Sequence, residues 1–209
     1  MEYFLQLLPQ TAGSWTIQIA GGIAGSLILM SFVEYFIHGF FMHQKLLPAF
    51  MYRLIPPFEN AFLEHSTLHH DTYFKQFNYE PNPVGRNLNM YIQPMTTIGG
   101  LLACLPFMIL FALYVSFIPP LIFFIVFMLH NFMWNIIHPE MHQPRHPFWS
   151  RWAIYKFLAR HHYLHHTLHG QHIHRHNNII LPIADFILGQ NVVPNEEQRS
   201  EMKKFGYLD

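Results

Sequence analysis

Residues 121–142 read LIFFIVFMLHNFMWNIIHPEMH. Residues 121–137 carry no Asp, Glu, Lys or Arg, and the stretch closes on two histidines spaced HX3H, His138 and His142. An apolar run of this length suits a helix crossing a bilayer, which takes roughly 17–25 residues. Polar side chains in such a helix are costly and usually face an interior site. At about 100° per residue, Asn131, Asn135, His138 and His142 fall within about 60° of one another. The two asparagines are therefore candidates to hold a ligand or a water beside metal-binding histidines. His130 lies about 80° around the helix from His138, a weaker candidate contact. Pro139 is expected to bend or restart the helix, which would move His142.

The rest of the chain has the same character. Its 209 residues suit one domain. Charged residues make up 11%, against roughly 25% in an ordinary soluble domain. Hydrophobic residues make up 51%, with 21 Phe and 11 Met. The formal net charge is zero, which points away from nucleic acid as a partner. A single cysteine, Cys104, lies in an apolar run, so disulfides and cysteine-rich zinc sites are excluded.

Two more stretches lack Lys and Arg: residues 15–37, WTIQIAGGIAGSLILMSFVEYFI, and residues 95–117. The first lacks a basic leader and an A-x-A site, so it reads as a span and not as a removed signal peptide. Its GGIAG would let helices pack closely. Pro119 and Pro120 are expected to make a tight break between the second and third spans. The fold expected is all-α: one membrane domain with spans at about 15–37, 95–117 and 121–137. All twelve Lys and Arg lie in 45–86 and 145–204. Three spans place both segments on one side, the cytoplasm by the positive-inside tendency. Residues 38–94 and 138–209 would then form a cytoplasmic helical cap. Within it, 46–64 reads as interfacial, 78–87 as a loop, and 181–189 as a short helix ending at Gly189. The tail from Pro194 onward reads as polar and exposed.

All but one of the seventeen histidines, His130, fall in that cap or at the span ends beside it. They form four boxes: His38 and His43 (HX4H), His65, His69 and His70 (HX3HH), His138 and His142 (HX3H), and His162, His165 and His166 (HX2HH). Residues three or four apart share a helix face. Each triple box would therefore show two imidazoles on one face and a third beside them, able to reach a second metal. Four converging boxes could hold two metals with mostly nitrogen ligands. Neutral imidazole suits iron, zinc, copper and nickel alike. Glu34, one turn before His38, either accepts the second N–H of that imidazole or is an interfacial carboxylate. Asp185, Glu64, Asp71 and Glu140 are weaker candidates for such a role. His161 is four residues from His165, so the last box also reads as HX3HH. His169, His172, His174 and His176 fall around and after Gly170, where helical order is expected to end. Of these, His176 beside Asn177 and Asn178 is expected to come nearest the metals.

The boxes, interleaved with spans, resemble the fatty acid hydroxylase / sterol desaturase superfamily. The resemblance runs over about residues 30–190, with WNIIHPEMH, HHYLHH…NNIILPIADFILG and HHDTYFKQFNYEPNPVGRN as its closest text. It implies a membrane-embedded non-haem di-iron oxygenase that uses O₂ to hydroxylate or desaturate a C–H bond of a lipid such as a fatty acyl chain or a sterol. It implies two iron ions on the ten box histidines, though zinc occupies this site in some preparations of relatives. It also implies an electron donor of ferredoxin or cytochrome b5 type on a separate protein, and an inner-membrane location in a bacterium. No side chain is expected to act as a nucleophile. Two rivals share the residues. A zinc-dependent membrane lipid hydrolase would need only three ligands and a base such as Glu64 or Glu140. A metal carrier or sensor would want polar residues through the spans, which the first two nearly lack.

Overall fold

The structure is a computed structural model and describes residues 11–54, 56–74, 77, 91–168 and 175–209. The loop expected at 78–87, and His169, His172 and His174, lie outside the described residues. Among the described residues the regular structure is all helical, without strands. It divides into two compact units: Met1–Met30 with Ile92–Phe132, and Ser31–Tyr91 with Met133–Asp209.

Three helical stretches are long and apolar enough to cross a membrane: Gly13–Phe41, Pro94–Tyr114 and Ile118–His142. The first comprises α1 (Ala12–Phe36) and a π-helical turn, π1 (Ile37–Phe41). The other two are α4 (Pro94–Tyr114) and α5 (Ile118–His142). The expected break at Pro119 and Pro120 is displaced. The chain turns over residues 115–117, and both prolines sit in the first turn of α5, where a missing N–H leaves no helical bond unmade. Pro139 does not restart the helix, which runs on to His142. It lies in the last turn, and its carbonyl still accepts from Gln143 N at 2.8 Å.

The first unit presents a largely apolar surface. α4 has no buried residue, and Phe107 is 75% exposed. So large an apolar surface belongs against lipid and not water. Inside the unit, Gly22 is the member of GGIAG at a close approach: a Cβ there would lie 2.8 Å from Ile122 Cδ1. Ser116 Oγ donates to Gln18 Oε1 at 2.5 Å.

The second unit carries all the box histidines. After π1 come α2 (Ala49–Leu54) and α3 (Pro56–Phe62), which occupy the segment read as interfacial. π2 (Leu63–Tyr73) follows, an eleven-residue π-helix. Beyond the end of α5 lie a 3₁₀ turn (Phe148–Arg151), α6 (Ala153–Thr167), α7 (Ile183–Ile187) and α8 (Glu196–Lys204). α7 is shorter than the 181–189 expected, and Gly189 follows it in the left-handed region at φ 64°, as a helix C-terminus favours. α8 opens on a capping box, Asn195 with Gln198. Tyr163 hydrogen-bonds Glu201, and Tyr207 Oη donates to the Met141 carbonyl at 3.0 Å. These two bonds hold the C-terminal segment against α6 and the end of α5, and Met202 of α8 is fully buried.

Candidate metal centre

Backbone winding decides which histidines meet. In π1 and π2 the amide of residue i+5 reaches the carbonyl of residue i: Met42 N to Ile37 O and Phe74 N to His69 O, each 2.9 Å. That wider turn places residues five apart over one another. His38 and His43 are five apart, and so are His65 and His70. In α6 the ordinary winding instead aligns His162 with His166 and turns His165 aside.

The outcome is two groups of buried histidines. His38, His43, His65, His70 and His165 offer ligand nitrogens all within 4.8 Å of one another. His69, His142, His162 and His166 do the same. Nine of the ten box histidines are thus collected. The second box is divided otherwise than its spacing suggests: His65 pairs with His70, and His69, four residues from His65, joins the other group. The tenth, His138, is fully buried. Its ring lies 5.0, 4.9 and 4.8 Å from those of His69, His142 and His162.

The contacts within each group are made tip to tip. Nε2 of His65 is 2.7 Å from that of His38 and 3.2 Å from that of His70, and His43 meets His165 at 3.1 Å. In the second group His166 meets His69 and His162 at 3.2 Å each, and His162 meets His142 at 2.8 Å. Protons alone do not satisfy this arrangement. Nδ1 of His166 donates to the Phe74 carbonyl at 3.1 Å, so a neutral His166 has a bare Nε2. His162 must then aim its one proton at His166 and has none to give fully to His142. A cation satisfies every lone pair at once. Two nitrogens each about 2.1 Å from one ion and about 90° apart stand about 3.0 Å from each other, which is the spacing seen. The donor set therefore fits metal ions.

The surroundings favour the neutral, ligating form. Burial first, and then the neighbouring histidines, hold His65, His69, His70 and His162 well below the usual imidazole value, which leaves their lone pairs available near neutral pH. Backbone carbonyls fix several rings by taking the remote N–H. Nδ1 of His38 donates to the Asn177 carbonyl at 2.5 Å, and Nδ1 of His165 lies 3.4 Å from that of Arg175. Among the described residues, Nδ1 of His69, His142 and His162 has no hydrogen-bond partner. Aromatic rings close the site to water: Phe74 and Phe77 pack on His142 at 4.5 and 4.8 Å, and Trp134 on His38 at 5.6 Å.

The candidate supporting residues disperse. Glu34 is buried and accepts from the amides of Ile179, Ile180 and Leu181, while the His38 N–H goes to Asn177. Asp185 accepts from the amides of Asn177 and Asn178 and from His161 Nε2 at 2.9 Å. His161 therefore faces Asp185, and it is His162 that enters a group. His176 touches His161, Nδ1 to Nδ1, at 2.9 Å. Glu140 accepts from the amides of Arg145 and His146. Asn131 donates to Thr97 Oγ1 at 3.3 Å within the first unit, where His130 is also buried. Asn135 is half-buried. Sequence reasoning did not pick out Phe74, Phe77, Trp134 or the Asn177 carbonyl. Aromatics are abundant in this chain, and a carbonyl acceptor has no sequence signal. The one hint was the Asn177–Asn178 pair, polar residues set against an apolar run.

No family model, curated protein or solved structure matches the chain.

Proposed function

We propose that the chain is a membrane-embedded, non-haem di-iron oxygenase acting on a lipid. The observation that carries this reading is the pair of adjacent histidine groups, five and four strong, almost without carboxylates. One catalytic zinc needs only three protein ligands, so a hydrolase leaves most of this set without work. The absence of Glu-rich metal boxes also separates the chain from ferritin-like di-iron proteins. Two irons in such a cage supply O₂ activation, so that a lipid C–H becomes C–OH while the second oxygen atom leaves as water with two electrons and two protons from outside.

The protein's own residues do the rest. Nε2 lone pairs from π1, π2, α5 and α6 hold the charge, and the carbonyls of Asn177 and Phe74 fix the His38 and His166 rings. Phe74, Phe77 and Trp134 keep water away from the histidines. The apolar helices α1, α4 and α5 keep the chain in the bilayer that holds its substrate. The positive-inside tendency of the basic segments favours a cytoplasmic site, where a separate ferredoxin- or cytochrome b5-type donor would deliver electrons. Purification with iron under low oxygen should give two Fe per chain. Reduced protein with O₂ should then add 16 Da to a membrane lipid, or remove 2 Da if desaturation follows. Anaerobic, zinc-dependent turnover of lipid esters would reject the proposal.

A further inference from the structure

Among its described residues the second unit buries three carboxylates, Glu34, Glu140 and Asp185. Asp185 is wired to the histidines in a particular way. Its Oδ2 accepts from Asn178 N at 2.7 Å. That N–H belongs to the same peptide group as the Asn177 carbonyl, which accepts the Nδ1 proton of His38 at 2.5 Å. One planar, polarisable amide therefore stands between a carboxylate and a histidine of the five-histidine group. Hydrogen bonds in such a chain strengthen one another, most of all in a dry interior. Asp185, Asn177, Asn178 and His38 are all 0 or 1% exposed.

The other side of Asp185 is equally committed. Val192 N donates to His176 Nε2 at 2.8 Å, so Nε2 is bare and Nδ1 of a neutral His176 carries the proton. That proton goes to His161 Nδ1, and His161 Nε2–H then donates to Asp185. Asn177 N adds a further donor at 3.0 Å. Asp185 thus collects three N–H groups, the surroundings of an anion.

We propose that Asp185 is a positioning residue that raises the ligand strength of His38 through the Asn177–Asn178 peptide, with the His161–His176 pair drawing on the same carboxylate from behind. This rests on the reading of the histidines as a metal centre. Metal-binding histidines commonly give their second N–H to a carboxylate directly, and loss of that partner weakens metal binding by about 10- to 100-fold. Here an amide is interposed. Because His38 belongs to only one group, the effect should fall on one site of two.

The full chain, purified in detergent without oxygen, is titrated with Co(II) and followed by visible absorption and metal analysis. Wild type should take up two equivalents. Asp185→Asn should weaken one of them by about 10-fold or more and leave the other within about threefold. Glu34→Gln removes a carboxylate that anchors the same loop, so it should lower the melting temperature and leave both affinities near wild type. Should Asp185→Asn fail to fold, His161→Phe takes one donor from the carboxylate and leaves both amides in place, and the same single site should tighten. Fewer than two Co(II) in wild type overturns the metal centre itself. Two Co(II) in wild type with no change in Asp185→Asn, or equal weakening of both sites in Asp185→Asn and Glu34→Gln, overturns the role of Asp185 alone. For His161→Phe, an unmoved site, or both sites moving together, counts against it in the same way.

Discussion

At the scale of single residues, neighbours have opposite fates. His161 and His162 are adjacent and both buried, yet His161 donates to Asp185 and His162 meets His142 and His166. Metal analysis should therefore find fewer than two metals per chain in His162→Ala and two in His161→Ala. In the same series His165→Ala should abolish lipid oxidation, whereas His174→Ala, outside every box, should retain most of it. His176 gives a pH signature. Burial first, and then the neighbouring His161 and Arg175, bring it from the usual value down to about 3. The unfolded chain binds this proton below about pH 6.5 and the folded chain does not. Stability from His176 is therefore complete above that value and is lost as pH falls, with a slope of up to about 1.4 kcal/mol per pH unit. Melting of the detergent-solubilised protein between pH 7 and 5 should show a shallower pH dependence in His176→Asn than in wild type. The four boxes were legible because imidazoles at helical spacing are uncommon in an apolar chain. The choice between His161 and His162 was not, because both spacings to His165 are helical and only Asp185, far off in sequence, separates them.

At the scale of elements, winding sorts the ligands. The α-helical rule reads α6 correctly, pairing His162 with His166 and sending His165 the other way. It misreads the second box, since π2 brings His65 over His70. Sequence periodicity assumes 3.6 residues per turn, and nothing in EHSTLHH announces a wider one. The helix ends were legible only to within a few residues, as with Pro139, which one lost hydrogen bond was not enough to make a boundary. Close approach at π1 is testable. A Cβ on Gly39 would stand 2.6 Å from Asn177 Cγ, and Asn177 is fully buried. Gly39→Ala should destabilise by about 1–3 kcal/mol. Gly25→Ala, with nothing within 4 Å, should be neutral or add a few tenths up to about 1 kcal/mol. Unfolding in detergent mixtures measures both, and equal effects would contradict the packing at Gly39.

At the scale of the whole molecule, the spans follow from length and hydropathy alone, which is why they were the most legible feature. Sidedness is a matter of charge and can be checked directly. With Cys104 replaced by Ser, single cysteines at Val115, which is exposed in the same turn, and Lys203 are labelled with a membrane-impermeant maleimide in intact cells. Val115→Cys should react, and Lys203→Cys should react only after permeabilisation. On the proposed reading, chelation should lower the melting temperature, since a ligand that prefers the folded chain stabilises it by mass action. A further consequence lies in where the ligands come from. The five-histidine group draws on residues 38, 43, 65, 70 and 165, and the other on residues 69, 142, 162 and 166. Neither is complete before α6 has been synthesised. A cage therefore cannot form until the last box has left the ribosome, after the first two spans. On the proposed reading, metal enters at a late step of maturation, into a chain already at the membrane. A chain truncated before residue 162 should keep all three spans and hold no complete site.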